Sequence, residues 1–154
     1  MSDNFNYKAG IHNVGSYQVS GIPYATGSLT VPNKTGTPVE LIFPSMTQRI
    51  HIHNNDQSGN KLRIGFSANG VRGSNFWLLE GHDTNGKTHD YTELRIKVDR
   101  IYLLGDETVN STTGIYVAAE LTGITGYGTE NYRAVVANPN LGFTGALSGS
   151  AGIG

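Results

Sequence analysis

The residues with the clearest chemical potential are two histidines in the middle of an alternating segment. His51 and His53 lie two positions apart and alternate with Ile50 and Ile52. In a β-strand such residues project from the same face, so two imidazole groups would stand side by side. Arg49 belongs to the same face by the same count. Its positive charge would repel a bound cation, so the pattern argues against a metal site.

Cupin-type jelly rolls begin a metal site with two histidines at this spacing and complete it with a glutamate and a later histidine. Asp56, His82 and His89 are the residues that could complete such a set here. The second cupin signature, around Pro-x-Gly, is absent from the sequence. We therefore predict no metal and keep a cupin-like metal-binding protein as the third hypothesis.

The segment Gly81–Thr88 matches the P-loop formula G-x-x-x-x-G-K-[ST]. A P-loop needs a helix directly after it, with its N-terminus facing the phosphates. Here the next residues lead into an alternating strand. We interpret the match as a turn between strands, with Asn85-Gly86 supplying positive φ angles.

Other catalytic patterns are weaker. The chain has no cysteine, which excludes thiol nucleophiles and disulfides, and it has no Gly-x-Ser-x-Gly elbow. The carboxylates that could form an acid–base pair do not single one out; they are Glu80, Asp83, Asp90 and Glu93. The sequence predicts no enzyme, no catalytic residue and no cofactor.

Three tyrosines could form a shelf for a sugar. Tyr91, Tyr102 and Tyr116 all fall on the polar sides of their predicted strands. We favour a different explanation, packing between aromatic side chains on neighbouring strands.

Composition restricts the classes of partner. The 154 residues predict one domain, and a net charge of −1 gives no general attraction to nucleic acid. No apolar run approaches the roughly 18 residues of a membrane span, and residues 1–10 do not resemble a secretory signal. Charged residues make up 15%, against about 25% in a typical soluble domain, which suits a surface that another protein covers. We expect a protein made in a cytoplasm.

The strongest strand patterns lie between positions 91 and 121. Glu93–Val98 and Ile115–Leu121 alternate apolar and polar residues with a period of two, and Arg100–Leu104 between them is more apolar. These segments lack the spacings of three and four that a helix requires. They predict antiparallel sheet.

Earlier segments complete the predicted strand set. We expect a break at Gly21-Ile22-Pro23, a tight turn at Asn69-Gly70 and no helix. Val39–Phe43 should pair with Gln48–His53. The further strand candidates are Ser16–Val19, Gly27–Val31, Lys61–Phe66, Asn75–Leu79 and, with a weaker pattern, Tyr132–Val136. Eight or nine short strands predict an all-β, antiparallel β-sandwich, and among sandwiches we favour a single jelly roll.

The ends of the chain differ from its middle. We divide it into an Asn-rich N-terminal arm (1–14), a β-sandwich domain (15–124) and a Gly-rich C-terminal tail (125–154). The tail carries isolated apolar residues such as Leu141, Phe143 and Leu147. We expect them to become ordered on a neighbouring subunit, because the tail alone buries too little to offset its ordering entropy.

A family resemblance rests on the order of these segments. It runs from Gly15–Gly21 through Phe76–Leu79, Glu93–Val98 and Arg100–Leu104 to a closing strand ending Leu-Thr-Gly-Ile at position 124. This order resembles the small jelly-roll cement or decoration proteins of tailed bacteriophage virions. The resemblance implies a non-enzymatic homo-oligomer, a trimer at local three-fold positions, that binds the major capsid protein or another virion protein on the capsid surface. It brings no catalytic residue.

A second hypothesis uses the same fold differently. A carbohydrate-binding or receptor-binding β-sandwich would place aromatic residues on one exposed face. It would bind glycans whether or not the tail is present.

Overall fold

The computed structural model describes residues 21–81 and 90–123, which form eight β-strands and one short helix. In chain order the elements are β1 (Ile22–Val31), β2 (Val39–Ile42), β3 (Thr47–Asn54), β4 (Leu62–Gly65), α1 (Ala68–Arg72), β5 (Trp77–Leu79), β6 (Asp90–Leu94), β7 (Arg100–Gly105) and β8 (Thr112–Leu121). The predicted all-β fold is confirmed.

The strands form two antiparallel sheets that pack face to face. Sheet A has the order β1-β8-β3-β6, and sheet B has the order β2-β7-β4-β5. Successive strands alternate between the sheets, except for the pair β4 and β5. The predicted β-sandwich is therefore confirmed, while the jelly roll stays a prediction.

Alternation along each strand creates the core between the sheets. On β8, Ile115 and Val117 are buried, whereas the alternating residues Tyr116 and Ala118 are exposed. Each fully buried aliphatic side chain contributes about 1.5–3 kcal/mol relative to an exposed one. The core residues shared between the sheets include Ile50, Ile52, Leu62, Ile64, Ile101, Leu103, Ile115 and Val117.

The predicted pairing of Val39–Phe43 with Gln48–His53 is wrong. β2 pairs with β7 in sheet B, and β3 pairs with β6 and β8 in sheet A. The short link between β2 and β3 crosses from one sheet to the other instead of reversing. Phe43 N donates to Asp99 O at 2.8 Å, and Thr47 N donates to Val98 O at 3.0 Å. Both acceptors belong to the segment between β6 and β7, which also crosses from one sheet to the other.

The predicted strand Glu93–Val98 is displaced toward the N-terminus. β6 ends at Leu94, because the following residues cross from sheet A to sheet B. Thr47 fixes this crossing: its hydroxyl donates to Ile96 O at 2.8 Å and accepts from Val98 N at 3.2 Å. Ile96 and Val98 still pack against the core, which explains why the alternating pattern continues beyond the strand.

The break predicted at Gly21-Ile22-Pro23 is also wrong, because β1 begins at Ile22 and runs through Pro23. Pro23 faces Glu120 in the register with β8. β1 is an edge strand, where a residue without an N–H is tolerated. The strand instead has an irregularity between Thr26 and Leu29.

The prediction of no helix fails at α1, where Asn69-Gly70 was expected to form a tight turn. Ser67 caps this helix by accepting a hydrogen bond from Gly70 N at 3.0 Å. Val71 is fully buried on the outer side of sheet B. A Cβ on Gly65 would lie 2.8 Å from the Val71 Cβ, so the glycine permits this close packing. A five-residue helix with one apolar contact is too short to show helical periodicity.

Several predictions lie outside the described residues. They are the strands Ser16–Val19 and Tyr132–Val136, the arm at 1–14, the tail at 125–154 and all of the P-loop-like segment except Gly81.

Candidate functional site

The predicted placement of the histidines is correct. β3 lies in the interior of sheet A, between β8 and β6. Ile50 and Ile52 face the core, so His51 and His53 face outward, and both are partly exposed. Arg49 is also partly exposed, next to a register shift in β3.

His53 stands between two tyrosines in a row that crosses three strands. It faces Tyr91 on β6 and Tyr116 on β8. The rings of His53 and Tyr116 have centroids 6.2 Å apart and planes inclined by 33°. Tyr91 is 70% exposed and Tyr116 44% exposed. The row presents aromatic surface to solvent.

The neighbouring row consists of small side chains. His51 faces Ala118 on β8, and Ala118 faces Ala25 on β1. These alanines, together with His51 and the aromatic row, line an open depression of about 540 Å³. We call this surface the aromatic depression and define it by Ala25, His51, His53, Tyr91, Tyr116 and Ala118.

Charged residues border the depression beyond His51. The Glu93 carboxylate lies 3.9 Å from His51 Nδ1 and 3.5 Å from Arg49 Nε, and it accepts a hydrogen bond from Arg95 Nε at 3.0 Å. Arg49 also lies 3.7 Å from Glu120. The hydrogen bond from Arg95 lowers the pKa of Glu93, and the positive charge of Arg49 acts in the same direction. Glu93 is therefore anionic at neutral pH and unsuited to act as a general acid.

The third tyrosine of the predicted shelf lies elsewhere. Tyr102 is on β7 of sheet B, and its hydroxyl donates to Glu40 Oε1 at 3.0 Å. Burial raises its pKa. The structure thus joins Tyr91 and Tyr116 on one face and places Tyr102 on the other sheet.

Asp56 is a buried carboxylate whose role sequence patterns did not reveal. Its Oδ1 accepts from Ser58 N at 2.8 Å and Asn60 N at 3.2 Å, and its Oδ2 accepts from Thr113 N at 2.7 Å and Thr113 Oγ1 at 3.1 Å. Burial alone would raise the pKa of Asp56, but the backbone amide donors outweigh it and the pKa is lowered. Four donors occupy this carboxylate, so it holds a turn in place. The Asn-rich composition of residues 54–60 was the available signal.

The carboxylates considered for acid–base chemistry have structural contacts. Glu80 pairs with Lys61 at 3.1 Å, and its backbone N–H donates to Asp90 Oδ2 at 3.1 Å. Within residues 21–81 and 90–123, no group of three histidine, aspartate or glutamate side chains could hold a metal ion. His82, Asp83 and His89 lie outside that part of the chain.

In the part of the chain that the structure describes, no helix has the length and apolarity needed to cross a membrane.

Comparison of the chain with protein-family models, with curated proteins and with solved structures finds no match.

Proposed function

We propose that this chain is a non-enzymatic virion structural protein, a capsid cement or decoration subunit that assembles as a homotrimer and binds the major capsid protein or another virion protein. The proposal rests on the resemblance in segment order and on two structural features. The first is the strand order of the sandwich. The second, on which the proposal chiefly rests, is an apolar edge that is exposed in the part of the chain that the structure describes.

The strand order supports a jelly roll. Two four-stranded sheets of orders β1-β8-β3-β6 and β2-β7-β4-β5 hold eight strands, and every connection except the one from β4 to β5 crosses between the sheets. An eight-strand, two-sheet arrangement built from Greek keys is the jelly-roll plan, which viral capsid proteins, lectins and cupins share. The same plan accommodates all three functional hypotheses, so the surface must discriminate between them.

The apolar edge lies where sheet B ends at β5. Trp77 faces Ile64 in the register and shares the core-facing side of β5 with Leu79. Ile64 and Leu79 are buried, but Trp77 is 57% exposed and Phe66, just beyond β4, is 38% exposed. Large apolar side chains on the core side of a sheet are expected to be covered. Their exposure at an edge strand supports the proposal that a partner completes this surface.

A second copy of the chain is the partner we propose. Tryptophan is among the residues that contribute most to protein interfaces, and closed symmetric homo-oligomers bury the same patch in every subunit. Copies of a virion protein on a symmetric lattice would likewise bury the same patch in every subunit.

The test is the absolute mass of the untagged chain, measured by light scattering coupled to size exclusion. We expect a mass three times the 16.5 kDa of one chain. Trp77→Ala should shift the population toward 16.5 kDa, because it removes the largest apolar group of the edge. Val109→Ala is the matched control: Val109 is 80% exposed but lies in the loop between β7 and β8.

Two outcomes would contradict the proposal. A monodisperse monomer at every concentration would refute the trimer, and an oligomer indifferent to Trp77→Ala would refute this edge as its interface. The virion assignment has its own test. Tailed-phage particles produced from a genome carrying this gene should retain the chain after density-gradient purification, as detected with an antibody against it.

A further inference from the structure

We propose that the aromatic depression on sheet A binds a neutral oligosaccharide, with hexose rings lying against Tyr91 and Tyr116 on the two sides of His53. The proposal goes beyond the assembly role and does not depend on it. The depression lies on the outer face of sheet A, whereas the proposed subunit contact lies at the β5 edge of sheet B.

The spacing of the aromatic row fits a short glycan. Tyr91 and Tyr116 lie on the two strands that flank β3. Neighbouring strands are about 4.8 Å apart, so the two tyrosines are anchored about 10 Å apart. Directly linked pyranose rings follow one another at about half that distance, so the separation fits the first and third rings of a three-ring segment. The alanines Ala25 and Ala118 leave the space beside the row open.

The chemistry of the row also fits. A tyrosine ring offers an apolar face on which the C–H groups of a sugar can stack, and its hydroxyl offers a hydrogen bond at the rim. The imidazole of His51 adds a polar group beside the rings. A site with an apolar surface and a few convergent polar groups is the usual form of a small-ligand site.

The Tyr116 ring is held in place by a glycine. A Cβ on Gly27 would lie 2.6 Å from Tyr116 Cδ1, so the ring lies directly over the backbone of β1. No side chain fits at position 27 unless the ring moves. A positioned aromatic ring loses less conformational entropy on binding than a free one.

The charged side chains at the rim of the depression balance one another, which favours an uncharged ligand. The carboxylates of Glu93 and Glu120 are matched by the guanidinium groups of Arg49 and Arg95. The rim therefore carries polar groups without an excess of either sign. An acidic glycan would find no uncompensated positive charge there, whereas neutral hydroxyl groups can bond to either kind of group.

The experiment uses the full chain on an array of neutral and sialylated oligosaccharides. The strongest neutral ligand is then titrated by ligand-observed NMR up to about 10 mM, which detects a millimolar Kd. We expect saturable binding of a neutral oligosaccharide. Tyr91→Ala and Tyr116→Ala should each weaken it about tenfold, the equivalent of about 1.4 kcal/mol per stacked ring. Gly27→Ala should also weaken it by displacing the Tyr116 ring.

Val109→Ala is the matched control, because Val109 is an exposed apolar residue in the loop between β7 and β8, and it should leave the affinity unchanged. Tyr91 is 70% exposed on an edge strand, so its variant tests the site even if Tyr116→Ala fails to fold. Absence of binding by every neutral oligosaccharide would overturn the proposal, as would a preference for sialylated ones. Binding that survives Tyr91→Ala and Gly27→Ala would also overturn it. A trimer that binds no glycan removes this proposal alone, and a monomer that binds one removes only the assembly role.

Discussion

The outer faces of the two sheets differ in what covers them. On sheet B, helix α1 covers the part of the face over β4 and β7: Val71 is fully buried, and so is Leu104, which alternation places on the outer side of β7. On sheet A, the corresponding surface carries Tyr91 and Tyr116 in the open. A covered face contributes to stability and an open one is available for binding. The comparison therefore predicts where substitutions affect folding and where they affect function.

Polar groups follow the same division. Arg63 on sheet B has a side chain only 13% exposed, pairs with Asp106 and lies 4.3 Å above the centroid of the Phe76 ring. Arg49 on sheet A has a side chain 30% exposed and lies between two glutamates. An arginine held by an ion pair and an aromatic ring is part of the fold. One at an open rim contributes little to it.

The largest effect is expected where the cover of sheet B is removed. Val71→Ala should lower the free energy of unfolding by about 2–3 kcal/mol, because it leaves a cavity under α1. Urea denaturation of the full chain measures this loss. Val109→Ala, at an 80% exposed position, should change it by at most about 0.5 kcal/mol. Equal small effects from both substitutions would show that α1 does not hold the face closed.

A comparable effect is expected at the turn that leads from sheet A to sheet B. Asp56→Asn should cost about 2 kcal/mol at pH 7, since the amide cannot accept from all four donors. The pKa of Asp56 is lower in the folded chain than its ordinary value of 3.8. Its stabilisation is therefore complete above that value and is lost as the pH falls through the folded pKa.

Denaturation of both proteins between neutral and strongly acidic pH tests this link. The difference between wild type and Asp56→Asn should shrink on acidification below the ordinary pKa. Glu80→Gln is the control, because Glu80 has a side chain 59% exposed and only a surface ion pair. A difference that stays constant with pH would mean that the Asp56 charge does not stabilise the turn.

The smallest expected effect is the difference in stability between variants of the two arginines. Arg63→Ala should destabilise the chain by about 2 kcal/mol, because it leaves Asp106 unpaired and removes the contact with Phe76. Arg49→Ala should cost at most about 1 kcal/mol, as expected for an exposed ion pair. Thermal unfolding of the two variants side by side measures the contrast. A reversed order would break the distinction between the covered and open faces.

Much of the fold could be predicted from local patterns. The alternation of Ile115 and Val117 with Tyr116 identified β8 and its two faces, and Ile50 and Ile52 did the same for β3. Strand pairing was harder. β2 and β3 are adjacent in sequence and compatible in pattern, yet each bonds to strands distant along the chain. A local pattern indicates which face of a strand is buried, but not which sheet the strand joins or which strands it pairs with.

The candidate site shows the same limit. The sequence placed His51 and His53 on one face and marked Tyr91 and Tyr116 as outward. It also grouped Tyr102 with them, because all three occupy the polar sides of strands. In the structure β7 belongs to sheet B, so Tyr102 is not part of the site.

The sequence by itself determined the all-β class and the inward and outward sides of most strands, because side-chain alternation is a local property of extended backbone. Only the tertiary structure decided which strands are neighbours, that α1 covers sheet B, and that two tyrosines flank one histidine. These features depend on residues far apart in the chain, such as Tyr91 and Tyr116, which β3 brings together from either side. The packing of the two sheets, rather than any single segment, selects that arrangement.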